Sequence, residues 1–596
     1  MPGPRWPYVV IALLLLLPVL VVGGLFLALG NREPEVAQAA LLELNLNSDL
    51  PEFVPGGGSP LDLLAGDTPL TLKDQLDNLK KAAEDDRIKG VLVRLDDYGA
   101  GWAKTEELRD ALTLFKRSGK FTVGYAQSLD ERGYYLALVL DELYMVPEGS
   151  FEMNGLVSQA VHLPGLLERL GIGVQYFAFG QYKSQSGQSF GLKAFTPPVK
   201  EMINYNLDGR YNRFVNAVAQ GKKLTIPQVR RLIDTNLPTT EWALANRLIT
   251  GIAYEDELRD KLKKKLGQEP DADLAQVQDG SYHTLPLGKF GLNGGEDKIG
   301  LVYSVGLIVP GAGDGASPLT GDTTQGSQPI VDALRKAGED DEIKAVVFRV
   351  DSPGGAGIGP DLVRREVERL KAKKPVIVSM SDSAASGGYW VAMDATAIVA
   401  QPSTTTGSIG VFSVIPNLQQ LNQRLDLTPE VFKRGARADA LSGTRPLDAT
   451  EARLYNEQLY KFYRRFVDLA AKGRGKTAAE MEAVAQGRSW LGDRALTLGL
   501  VDRLGGLDTA IGLAREKAKI PNDRSVQVVE LQTPSNVWDN LGGFFTRLQQ
   551  AQTRQLAREL LTASGTEPLF RGWGALTPEL VRKHRYLTIA LPEDVH

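Results

Sequence analysis

The chain of 596 residues carries the same passage twice. "KAAEDDRIKGVLVRLDD" starts at Lys81 and "KAGEDDEIKAVVFRVDS" at Lys336, an offset of 255 residues with ten paired positions identical. The offset persists without a gap: Arg94 faces Arg349, Asp96 faces Asp351, Gly133-Tyr134 faces Gly388-Tyr389, and Gly180 faces Gly435. Further on it slips to 252, where Ala243-Leu244 faces Ala495-Leu496. A tandem duplication of this size dictates two like units, a first repeat at 61–290 and a second at 299–525. Between them "GLNGGEDK" (291–298) reads as a linker, since glycine, asparagine and charge cannot build a core.

Each unit reads as α/β. Leu72, Leu76, Leu79 and Ala83 have helical spacing and precede the apolar strand "GVLVRL" and a turn. The second unit repeats the pattern. A helix over 329–338 leads to the strand "AVVFRV", a glycine turn, a helix over 361–373, the strand "PVIVSM", and then "SAASGGYWVAMDA" opening another helix. Apolar strands alternating with helices at this interval indicate β-α crossovers and a largely parallel sheet.

Composition narrows the function classes. The chain is 43% hydrophobic and 23% charged, with no low-complexity bias, so it can build large cores. A formal charge of -4 without a dense basic stripe argues against nucleic acid as a partner. The chain has no cysteine, which excludes disulfides, thiolate catalysis and cysteine-zinc sites. Its four histidines, at 162, 283, 584 and 596, have no metal-ligand spacing, so no metal or cofactor is expected.

The N-terminus points to a membrane. "YVVIALLLLLPVLVVGGLFLALG" (8–30) is uncharged and exceeds the about 20 residues that span a bilayer. "AQA" at 37–39 has the form of a signal-peptide cleavage site, but the apolar run is longer than a signal h-region, which favours a retained anchor. With Arg5 before the span and Arg32 offset by Glu33 and Glu35, the positive-inside rule puts a short cytoplasmic end at 1–7 and the bulk outside the cytoplasm. Residues 31–60, with the turn segment "PGGGSP", read as a linker, and 526–596 as a C-terminal extension without counterpart in the first unit. Within that extension "NVWDNLGGFFTRLQQ" reads as a packing helix, with an amphipathic helix on a membrane surface as the alternative.

Differences between the copies point to chemistry. "DSPGGAG" (351–357) ends a strand in a turn whose glycines can aim consecutive N–H groups at one anion, whereas the first copy has "DDYGAG". "SDSAASGGYW" (381–390) carries Ser386 before Gly387-Gly388, where the first copy has Glu131-Arg132. Ser386 can be a helix cap or turn residue, and equally a nucleophile, because acyl transfer needs a nucleophile beside preorganised donors. No histidine lies in either turn motif to take its proton. A neutral lysine is the other option. "FGQYKSQSGQSF" places Lys183 three residues after Gly180, and Ala438 stands at the matching position of the second copy. One copy thus keeps the serine and the turn, the other the lysine.

The stretches "FRVDSPGGAG", "SDSAASGGYWVAMDA", "QPSTTTGSIGVF" and "GQYKS" carry a specific likeness. The chain resembles bacterial signal peptide peptidases of the protease IV family in their long, duplicated form, over roughly 60–520 and the N-terminal anchor. The resemblance implies a fold related to Clp protease and crotonase, with Ser386 as nucleophile and Lys183 as base. It also implies a homo-oligomer, with a tetramer expected, and peptide substrates such as signal-peptide remnants. In the implied cycle the backbone N–H groups of Gly387 and of Gly354 or Gly355 hold the oxyanion. Ser408 is either a hydroxyl orienting Lys183 or a plain turn serine, and Ser184 has a weaker claim to that place. The family usually has Asn where this chain has Asp351, and "QSGQSFG" after the lysine also departs from its pattern. Two other readings keep the fold: a non-enzymatic membrane scaffold or peptide-binding protein, and a crotonase-type enzyme acting on acyl-coenzyme A.

Overall fold

The computed structural model describes residues 34–46, 50–54, 69–235, 237–313, 315–316, 323–355, 357–521 and 524–532. The two repeats form two parallel-sheet units. In the first, six strands run side by side in the order Gly251–Ile252, Glu142–Phe151, Phe121–Leu129, Ile88–Arg94, Ala40–Asn45, Gln276–Gln278. In the second, Lys298–Val305, Ile343–Ser352 and Val376–Ala385 make the centre of an eight-stranded sheet. Apart from the antiparallel pair Thr405–Gly407 with Ser489–Leu491, the neighbours in both sheets are parallel. Apolar runs such as "AVVFRV" are buried on both faces because helices cover both sides of the sheet.

Local signals set the helices. Thr71 accepts a hydrogen bond from the Asp74 N–H while the Asp74 carboxylate accepts one from the Thr71 N–H, a capping box that starts Leu72–Glu84. Its counterpart Ser327–Glu339 stands 255 residues on, as the repeat requires.

Two stretches differ from their expected roles. Residues 31–60 read as a linker, yet "ALLELN" is apolar enough to enter the first sheet as Ala40–Asn45, between Ile88–Arg94 and Gln276–Gln278. Glu52 and Phe53 then reach the second unit, where Phe53 stacks on Tyr303 at 5.3 Å. The extension drawn from 526 contributes Gln527–Glu530, paired with Lys298–Val305. The packing helix expected at 536–550 and the anchor expected at 8–30 lie outside the described residues. Among the described residues no helix is long and apolar enough to cross a membrane.

One small element joins the repeats at the place that matters. Gly173–Phe179 of the first unit and Val411–Asn417 of the second pair as an antiparallel ribbon, from Val411 against Phe179 to Asn417 against Gly173. This ribbon delivers the loop that carries Lys183 to the end of the second sheet.

Candidate active site

Ser386 sits where the strand Val376–Ala385 breaks into the short helix Gly387–Ala392. Its φ of 53° and ψ of -113° lie outside the ordinary regions for a residue with a Cβ. Such conformations cost on the order of 1–3 kcal/mol and persist only where their surroundings enforce them. Here the Ser386 N–H donates to the Gly407 carbonyl at 2.9 Å, and the Ser386 carbonyl accepts from the Trp390 N–H at 2.9 Å. Gly387 and Gly388 answer to close approach: a Cβ on Gly387 would stand 2.9 Å from Gly354 and Gly355 backbone atoms, and one on Gly388 would stand 2.3 Å from the Ser352 carbonyl oxygen.

The neighbouring turn sorts the expected oxyanion donors. Gly354 and Gly355 have φ of 141° and 158°. The Gly354 N–H donates to Ser352 Oγ at 3.2 Å, so it is turned into its own loop. Gly355 and Gly387 instead line the cavity at Ser386.

Lys183 enters from the first repeat. The Tyr182 N–H donates to the Gln486 carbonyl at 2.9 Å, and Tyr176 Oη donates to the Lys183 carbonyl at 2.9 Å. The loop lies so close to the second unit that a Cβ on Gly487 would fall 2.4 Å from Lys183 Cβ. Lys183 is 4% exposed, and its Nζ donates to Ser408 Oγ at 2.8 Å and to the Ser408 carbonyl at 3.1 Å. Ser184 does different work. Its hydroxyl caps the helix Gln185–Gly191 by accepting the Gly187 N–H at 3.0 Å.

Lys183 and Ser386 of one chain line the same cavity, about 170 Å³ in volume. Trp390, Val411, Phe412, Phe462 and Phe466 supply most of its apolar wall. The two described histidines are elsewhere, His162 bonding the Leu192 carbonyl and His283 facing Asp74; His584 and His596 lie outside the described residues. The geometry therefore offers a hydroxyl, an amine and backbone donors around one small cavity with an aromatic side, which is the equipment of acyl transfer.

Sequence reasoning missed the charges beneath this site. Arg349 is fully buried and pairs with Glu52 and with Glu107, each at 2.7 Å. Burial alone would raise the Glu52 carboxyl, but Arg349 holds it below its ordinary value; burial pushes Glu107 up to about 7. Lys104 stands 3.0 Å from Asp351. Burial would lower the Lys104 pKa, yet the Asp351 carboxylate keeps it raised. Asp351, the departure from the family pattern, is thus turn architecture tied to the first repeat. The repeat aligns Arg349 with Arg94, but that Arg94 likewise holds two carboxylates, Glu43 and Glu255, is visible only in the structure.

Comparison with known proteins identifies the family. The chloroplastic serine protease SPPA of Arabidopsis thaliana is 38% identical over 467 residues, covering 78% of this chain and 68% of its own. Protease 4 of Haemophilus influenzae is 29% identical over 479 residues, covering 77% of this chain and 75% of its own. A solved membrane-bound stomatin-specific protease, bound to a substrate peptide, covers 42% of this chain and 99% of its own at 19% identity and a TM-score of 0.26. The model for peptidase family S49 matches residues 114–269 and 368–521, one segment in each repeat. The chain therefore belongs to peptidase family S49, as a serine peptidase of the long, duplicated form.

Proposed function

We propose that the protein is a membrane-anchored endopeptidase in which Ser386 is the nucleophile and Lys183 the base, and that it degrades apolar peptides such as the remnants of cleaved signal peptides. One observation carries the reading: Lys183, buried and held by Ser408, lines the same cavity as the strained Ser386. A scaffold would have no need to bury an amine there.

The cycle follows from the groups present. The neutral Lys183 amine accepts the Ser386 hydroxyl proton as Oγ bonds to the peptide carbonyl carbon. The carbonyl oxygen becomes an oxyanion held by the Gly355 and Gly387 N–H groups; losing one such donor costs about 10²–10³ in turnover in a known protease. The C–N bond then breaks, and the Lys183 ammonium gives its proton to the leaving amine. Water next loses a proton to Lys183 while its oxygen displaces Oγ, which recovers the proton. The aromatic and aliphatic cavity wall favours apolar side chains beside the cleaved bond. That preference suits the substrates proposed.

Residues 8–30 form the anchor in this reading, with 1–7 in the cytoplasm and the repeats outside it, in the cell envelope. The protein is also proposed to work as a homo-oligomer, a tetramer by its resemblance. Supporting this, the ribbon partners have unpaired equivalents: 156–162 corresponds to Val411–Asn417 and 428–434 to Gly173–Phe179.

The test is fluorophosphonate labelling of detergent-solubilised full chain, with the modified peptide mapped by mass spectrometry. Ser386 is expected to carry the label, and Ser386→Ala and Lys183→Ala to lose it while staying folded. Label on another residue would move the nucleophile. An unlabelled, folded wild type that also cleaves no peptide would leave a peptide-binding scaffold as the better reading.

A further inference from the structure

The helix Trp102–Lys116 begins just after the first repeat's own version of the oxyanion turn, "DDYGAG", which has lost the Pro-Gly-Gly. Its first turn is not idle. Lys104, 8% exposed, places Nζ 3.0 Å from Asp351 Oδ2 and 3.7 Å from Asp382 Oδ2 of the second repeat. In return Asp382 Oδ1 accepts the N–H groups of Ala103 at 2.8 Å and Lys104 at 3.2 Å. The fit is close, since a Cβ on Gly101 would fall 2.3 Å from that carboxylate.

The two carboxylates belong to the two strand ends that bear the reactive groups. Asp351 is the penultimate residue of Ile343–Ser352, and the turn to Gly355 follows it. Asp382 lies near the end of Val376–Ala385, four residues before Ser386. The ladder between these strands is regular from Val346 against Val376 to Val350 against Met380, then shifts, so that Ser352 faces Ala384. At such an irregularity the ladder hydrogen bonds are disrupted, so they no longer fix the spacing of the strand ends. Here side chains take over: Asp351 Oδ1 accepts the Ser383 N–H at 3.1 Å, bridging the strands at the irregular step, and the Lys104 ammonium sits between Asp351 and Asp382. Burial between two carboxylates makes this a poor choice for stability alone, because buried ion pairs often only break even against apolar residues.

We propose that Lys104 is a positioning residue for acyl transfer: from the degenerate first repeat it ties together, through Asp351 and Asp382, the strand ends that set the Gly355 amide against Ser386. The proposal rests on the reading of Ser386 as nucleophile. Groups this close to reaction need geometry within about 0.5 Å, and a misplacement of about 1 Å can cost 10²-fold.

The experiment uses the full-length chain in detergent and the variants Lys104→Met and Lys104→Met with Asp351→Asn. Melting temperature, kcat and KM on an apolar peptide, and the rate of fluorophosphonate labelling are read together. Lys104→Met is expected to lower kcat and labelling rate about 10–100-fold with KM within about twofold. In the double variant the nearer and more buried of the two carboxylates is neutralised, leaving Asp382 with its backbone N–H donors, so the melting temperature should recover in large part while kcat stays at least about tenfold low. If kcat returns together with the melting temperature, the role is structural and the proposal falls. A folded Lys104→Met with unchanged kcat overturns it as well, and where that variant does not fold, the double variant alone decides. Labelled wild type with unaffected variants removes only this inference; a wild type unlabelled at Ser386 removes the nucleophile reading first.

Discussion

Ser408 gives Lys183 two acceptors, its hydroxyl and its carbonyl, and only the first can be removed by mutation. Ser408→Ala should therefore leave the amine near its place while loosening its aim. We expect kcat to fall about 10–100-fold with little change in KM, read on an apolar peptide, and labelling of Ser386 to slow in parallel. A second residue tests how the dead copy tolerates its lost serine. Glu131 occupies the position matching Ser386, and burial pushes its carboxyl from 4.5 up to about 7, against the bond it accepts from the Gly155 N–H. Because the folded protein holds this proton more tightly, the associated stability is full below about pH 4.5 and is lost as pH rises through about 7. Glu131→Gln keeps an acceptor for Gly155 and carries no charge at any pH. It should be more stable than wild type by about 1–2 kcal/mol at pH 8, the gain disappearing near pH 5, as followed by thermal melts. A gain independent of pH would mean that packing, not ionisation, is responsible.

At the scale of elements, the segment at 50–54, the helix Trp102–Lys116 and the strand Ile343–Ser352 meet at Arg349, where Glu52 and Glu107 both bind one guanidinium. Arg349→Met strands two buried carboxylates, and a loss of about 3–5 kcal/mol is expected in chemical unfolding. Converting Glu52 and Glu107 to Gln in the same chain should restore much of it; failure to do so would show that shape rather than charge matters there. Neither this cluster nor the strand Ala40–Asn45 could be read from the sequence, and the reason is physical. Burial and pairing are properties of tertiary placement, and "ALLELN" is too short for periodicity to distinguish a strand from a linker. What was legible came from comparison of the copies. The strands at 343 and 376 recur at the offset of those at 88 and 121, and the Ser386/Glu131 and Lys183/Ala438 contrasts marked the hydroxyl and the amine that line the cavity. The choice between Gly354 and Gly355 had to wait for the Ser352 hydroxyl, which the sequence does not aim.

At the scale of the whole molecule, the duplication leaves a mismatch. Each repeat has both halves of the ribbon in its sequence, but a chain pairs only the first repeat's Gly173–Phe179 with the second repeat's Val411–Asn417. The remaining halves, 156–162 and 428–434, form no strand. They expose side chains such as Val157 at 62% and Phe432 at 89%. Exposed apolar side chains on backbone outside any strand or helix are an aggregation hazard unless something covers them. In the proposed oligomer the matching partner for 428–434 is 156–162 of a neighbouring copy. By the register of the existing ribbon, Ser158 of one copy would face Phe432 of the next, as Ser413 faces Phe177. Such a contact would be head to tail, so copies would add until a ring closes. Phe432→Asp combined with Val157→Asp should therefore shift the detergent-solubilised protein from oligomer to single chains, measured by light scattering after size exclusion. Because Ser386 and Lys183 line one cavity within one chain, the dissociated variant should still take the fluorophosphonate label at Ser386. An oligomer unchanged by the double substitution would place the interface on another surface.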